Sequence, residues 1–137
     1  MSSDGEAIEA DILLLALPPE QIVELLPGTD IAPVLADVEM RPCWAVMAEL
    51  DRPLSGEYDG AFVNHGPLSW VSGQASRPGR PAAQAWVLHA NPDWSEHHID
   101  DEPDEIVEQL LAAVRSLPMT GPFEVKSARA HRWRYAL

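Results

Sequence analysis

Gln84-Ala85-Trp86-Val87-Leu88-His89-Ala90 is a short apolar run closed by the turn formers Asn91-Pro92-Asp93. Its length, its aromatic and β-branched content and its abrupt end read as a strand rather than a helix. Similar runs lie upstream. Cys43 to Leu50 ends at Asp51-Arg52-Pro53, Ala61 to Asn64 follows Tyr58-Asp59-Gly60, and Leu68 to Ser72 follows the hairpin-like His65-Gly66-Pro67. Ser76 to Pro81 is a loop tip. Strands at regular spacing with short turns predict an antiparallel meander.

Downstream of Ala90 the period changes. Trp94 to His98 reads as a helical turn, and Asp104 to Leu117 as a helix. Ile106, Val107, Leu110, Leu111, Val114 and Leu117 recur at helical spacing. Glu105 and Glu108 near its start and Arg115 near its end suit the helix dipole. Pro118 and Gly121-Pro122 stop it, and Phe123 to the last residue is extended. Within that segment His131, Trp133 and Tyr135 share one side, and Arg132 and Arg134 the other.

The N-terminal part has a different character. Residues 1–9 are polar and acidic and read as a disordered leader. Ala10 to Leu17 is a continuous apolar run, the pattern of a strand buried on both faces of a mixed sheet. Pro19 opens a helix with the apolar stripe Ile22, Val23, Leu25 and Leu26, and Pro27-Gly28 ends it. A second short helix is expected from about Asp30, as N-cap, to Leu35. The fold class is therefore α+β: a mixed, mainly antiparallel sheet of about five or six strands, covered by one long helix and short helices. The domain expected is residues 10–137.

Composition restricts the function. Twenty-two acidic residues against nine Lys and Arg leave a formal net charge of −13. Such a surface repels phosphate backbones and anionic leaflets, which argues against nucleic acid and membrane partners. The first residues lack the basic start of a signal peptide, and no apolar run is long enough to span a bilayer, so a cytoplasmic protein is expected. The basic residues are uneven: Lys126, Arg129, Arg132 and Arg134 stand in 126–134 against no acid. That block is either charge balance within a sheet or a functional surface. Cys43, the only cysteine, reads as a small buried hydrophobe.

No dinucleotide fingerprint, phosphate loop, G-x-S-x-G or H-E-x-x-H occurs. The five histidines form no metal-ligand spacing, and no metal is expected. Five tryptophans in so short a chain can fill a core against the long helix. They can equally line a pocket for a planar ligand, with indole N–H groups as polar handles. Asn64 and His89 inside otherwise apolar strands, and arginines beside Trp133, favour a pocket, because polar groups in buried strands cost stability unless they are paired or used.

Four stretches in order carry a resemblance. They are Ala10 to Pro18; Tyr58 to Asn64 with Leu68 to Val71; Trp86 to Ala90 through Trp94-Ser95; and His131-Arg132-Trp133-Arg134-Tyr135-Ala136. Together they resemble the C-terminal half of the renalase-like, FAD-dependent amine-oxidase family, from about residue 10 to the end. The resemblance implies the substrate-side sheet domain of such an oxidoreductase, one that roofs the flavin ring. The family chemistry is hydride removal from an amine or a dihydronicotinamide-type substrate, with oxygen reoxidising the flavin. It also implies that FAD is not held by this chain alone, because the dinucleotide-binding domain and the flavin-binding return segment are not in it. The substrate-facing residues implied are Asn64, Trp70, His89, Trp133 and Arg134, with His131 and Arg132 next; no catalytic residue is implied. The expected partners are a small-molecule substrate or a flavin-binding domain, and a homo-oligomer is expected because an exposed apolar face associates. The competing expectation is a stand-alone ligand- or protein-binding module without catalysis.

Overall fold

A computed structural model describes residues 5, 7, 9–54, 58–80, 84–118 and 120–136, apart from the side chain of Asn64. The chain forms two compact units, Met1–Glu39 and Met40–Leu137.

In the first unit, helix α1 (Pro19–Leu25) packs against α2 (Ala32–Ala36). Pro19 supplies the fixed φ of a first helical residue. Gly28, at φ +76°, makes the turn after α1 in a region that side chains disfavour. The second helix starts later than expected, with Ile31 at its N-cap and no side-chain cap, so Asp30 does not fill that role. The strand expected over Ala10 to Leu17 is absent: these residues have no regular structure. A continuous apolar run specifies burial, but a strand also needs a paired neighbour, and all five strands described belong to the other unit.

The second unit holds β1 (Cys43–Leu50), β2 (Gly60–His65), β3 (Leu68–Gly73), β4 (Ala85–Ala90), α3 (Pro92–His97), α4 (Pro103–Arg115) and β5 (Val125–Trp133). The strands form one sheet in the order β2-β3-β4-β1-β5. Every pairing is antiparallel, so the sheet is not mixed. The helix expected to cover it as a long element is α4, of 13 residues. At 1.5 Å per residue it is about 20 Å long, and it lies against β5, β1 and β3 rather than across the whole sheet.

Period-two alternation sorts the side chains. On the helix side Trp44, Val46, Ala48 and Leu50 of β1 and Trp86, Leu88 and Ala90 of β4 are buried. Ile106, Leu110, Leu111 and Val114 of α4 close over them, with Leu117 and Phe123 at the margin. Fully burying each large side chain contributes about 1.5–3 kcal/mol, which makes this layer the main stabiliser of the unit. Trp44 is also tied by polar bonds: its indole donates to the His98 carbonyl at 2.8 Å, and its backbone N–H donates to Ser95 Oγ at 3.1 Å. Asn91 joins three pieces. Its Oδ1 accepts from Trp94 N at 2.7 Å as the α3 cap, its Nδ2 donates to the Gly66 carbonyl at 2.6 Å, and its backbone N–H donates to Pro67 at 2.8 Å.

Candidate functional site

Among the described residues, no helix of this unit lies on the other face of the sheet. Cross-strand register lines up Phe62, Trp70, His89, Ala45 and His131 in one row across all five strands. The adjacent row pairs Cys43 with Trp133. At about 4.8 Å between strands, the five-residue row spans about 19 Å.

Trp70 reaches this face because of an irregularity. Leu68 pairs with Ala90 and Trp70 with His89, so β3 uses one residue more than β4 between those positions. The extra residue is Ser69, whose hydroxyl lies 3.2 Å from the His89 carbonyl and 3.0 Å from the Ala90 carbonyl as donor. Without the bulge, strict alternation would send Trp70 to the same side as Leu68, under α4.

A depression of about 750 Å³ opens on this face. Trp70 and Phe62 wall it at one side, their ring centroids 4.5 Å apart, and Trp133 and Tyr135 wall it at the other. Cys43 and His89 lie between. His131 sets its ring edge-on to Trp133 at 4.6 Å, which steadies a tryptophan that is 53% exposed. Burial holds the His89 imidazole below its usual pKa and so favours its neutral form. Burial likewise pushes the Cys43 thiol up, outweighing the opposite effect of the Ala90 carbonyl that it contacts. The depression thus offers flat apolar rings, a neutral imidazole and a protonated thiol, and among the described residues no charged side chain lines it.

Of the residues singled out in the sequence, Trp70, His89 and Trp133 come together here, and His131 stands beside them. Asn64 is on β2, but its side chain lies outside the described residues. The two arginines go elsewhere. Arg132 lies 5.5 Å over the Trp44 ring, donates to the Ile99 carbonyl and sits 3.7 Å from Asp100. Arg134 reaches the same Asp100 at 3.7 Å and does not line the depression. Both hold the α3–α4 connection, which accounts for much of the basic block at the C-terminal strand. Phe62, Cys43 and Tyr135 line the depression and were not singled out. Cys43 was legible in principle, since it shares period-two parity with Ala45 and Met47 on β1. Phe62 could be assigned only once its opposite number on β3 was known.

The histidines of α3 serve local contacts: His97 Nδ1 is 2.6 Å from the Asp93 carbonyl, and His98 Nδ1 is 2.6 Å from Asp101 while its ring stacks on Trp94 at 4.0 Å. Among the described residues no group of His, Cys, Asp and Glu could hold a metal ion. Among them, too, no helix is long and apolar enough to cross a membrane.

No family model matches the chain. Among solved structures it is similar to the crystal structure of a protein described as a "putative protoporphyrinogen oxidase" from Exiguobacterium sp. 255-15, with a TM-score of 0.65 and 19% identity. The match covers 88% of this chain and 28% of that one, so the chain spans little more than a quarter of its neighbour's length. At that identity the likeness establishes a shared fold.

Proposed function

We propose that the chain is a flavin-oxidoreductase-related sheet domain whose open face meets the substrate. The observation that carries this reading is the aromatic row on a sheet face that no described helix of its own unit covers, in a fold shared with part of a protein described as an oxidase. The finer assignment, a renalase-like substrate domain serving hydride removal from an amine or dihydronicotinamide-type molecule, is supported by the sequence resemblance. The residues assigned to the substrate side are Trp70, His89 and Trp133, joined by Phe62, Cys43 and Tyr135. Their part is to orient a flat ring and exclude water above it, which is what a hydride transfer asks of a protein.

The described residues do not fit FAD as a whole. A dinucleotide diphosphate is held by a glycine-rich turn between a strand and a helix. Here the helix that follows a strand directly is α3, and it starts with Asn91, Pro92 and Asp93, its first turn already occupied by the Asn91 cap and an acid. The flavin in this reading is therefore supplied by a separate flavin-binding domain packed against the open face.

Titrating the full chain with lumiflavin and with FAD, followed by tryptophan fluorescence, tests the proposal. Lumiflavin should quench with weak, saturable binding that Trp70→Ala reduces at least several-fold. FAD should bind no more tightly than lumiflavin. Stoichiometric, tight FAD binding would overturn the assignment of the flavin to another domain, and no response to either ligand would overturn the aromatic surface as a site.

A further inference from the structure

The open face has a second, polar end. Two residues along β1 and β5 from the Ala45–His131 pair, Met47 stands opposite Arg129, about 7 Å away. A depression of about 560 Å³ opens there, lined among others by Arg129, Arg80, Gln74, Ser127, Met47 and Glu49.

The cations of this chain are few, and most are accounted for. Among the described residues Arg41, Arg52, Lys126, Arg132 and Arg134 each form an ion pair. Arg115 lies 5.0 Å over the Phe123 ring. Of nine Lys and Arg, that leaves Arg77, Arg80 and Arg129, and the last two wall this one depression. Glu49, the one acid among the described residues of its lining, already has Lys126 at 3.7 Å. On a protein of net charge −13, two arginines with no acidic partner among the described residues at one hollow produce a local reversal of sign.

We propose that Arg80 and Arg129 form an anion subsite continuous with the aromatic row, so that the face takes a ligand joining a planar ring to a carboxylate or phosphate. The inference rests on the reading of the aromatic row as a substrate surface. A ring over the His89–Ala45–His131 row places a substituent on its far edge within reach of Arg129, since a fused two-ring system is about as long as the gap between rows. Guanidinium groups pair with either oxyanion in a fork geometry, so carboxylate and phosphate are both admitted.

Calorimetry of the full chain with 2-naphthol, 2-naphthoate and 2-naphthyl phosphate separates the possibilities. Both anions should bind about ten-fold more tightly than the neutral naphthol, with the advantage shrinking as salt is raised. Comparison of the two anions identifies which oxyanion is preferred. The R80Q/R129Q double variant, both substitutions being at exposed positions, should lose the advantage and keep the naphthol affinity; R129K should retain part of it. Equal affinity for all three ligands in the unaltered chain, or an advantage that survives in the double variant, overturns the anion subsite and leaves the aromatic surface standing. Failure of all three to bind overturns both.

Discussion

Gly60 carries a prediction that links packing to the site. It starts β2 opposite Ser72. A Cβ added there would meet Trp70 Cζ2 at 2.8 Å and Cη2 at 2.9 Å, and the Val71 carbonyl oxygen at 3.1 Å. Carbon atoms in contact prefer about 3.5–4.0 Å, so the indole must retreat by about 0.7 Å or more. The carbonyl cannot retreat, because it belongs to the strand. Gly60→Ala should therefore destabilise by about 1–3 kcal/mol, the range for overpacking, despite the usual gain of a few tenths from replacing a glycine. Because the displaced ring is Trp70, lumiflavin or naphthol binding should weaken in the same variant. Gly121→Ala is the control: nothing lies within 4 Å of a Cβ there and its φ is unexceptional, so its stability should be unchanged or slightly raised. Urea denaturation gives the stabilities and calorimetry the affinities. A Gly60→Ala protein with the midpoint of the Gly121→Ala control and undiminished binding would refute the placement of the Trp70 ring over β2.

Other expectations are simpler. Leu110→Ala, at a fully buried position on α4, should cost about 2–5 kcal/mol in chemical denaturation, whereas Glu108→Ala on the exposed side should cost little. Asn91→Ala removes the α3 cap and the bond to the Gly66 carbonyl, and should cost about 1–2 kcal/mol; Asn91→Asp should recover the cap share only. His89 is held below its usual pKa of 6.5 by burial. On acidification the unfolded chain takes up that proton first, so stability is present above pH 6.5 and declines as pH falls through the folded value. His89→Phe should flatten that part of the stability profile, and a slope identical to the unaltered chain would count against a half-buried neutral imidazole. Asp93 and Glu96 are held below the usual carboxylate range by Arg41, so in urea denaturation across pH the Arg41→Gln variant should be less stable at neutral pH and should show a flatter acid-side decline, because the two carboxylates then titrate alike in the folded and unfolded chain.

How much of this was legible beforehand depends on the kind of signal. The runs at Cys43–Leu50 and Gln84–Ala90 are strands because apolar side chains at both parities, bounded by Asp-Arg-Pro and Asn-Pro-Asp, leave few alternatives. The α4 stripe is equally self-contained, since Ile106, Leu110, Leu111 and Val114 fall on one helical face whatever covers them. The apolar run after Ala10 looks the same but behaves differently, because a strand exists only with a hydrogen-bonded partner, and composition cannot supply one. Trp70, His89 and Trp133 could be suspected from residue type. That they share a face could not, because it depends on one extra residue at Ser69 and on register set across three other strands.

By itself, then, the sequence determined the identity of the strands in the second unit, the covering helix, the absence of a dinucleotide fingerprint and the acidic surface. Each of these follows from local patterning or composition. Only the tertiary structure decided that every pairing is antiparallel, that the bulge turns Trp70 outward, and that Arg132 and Arg134 stand 3.7 Å from Asp100 and outside the lining of the aromatic depression. It also brought Arg80 and Arg129 to one hollow. The physical reason is that these outcomes depend on pairings between residues far apart in the chain: a side chain's direction in a sheet alternates with every residue, so for Trp70, Arg129, Arg132 and Arg134 one insertion or one shift of register reassigns it.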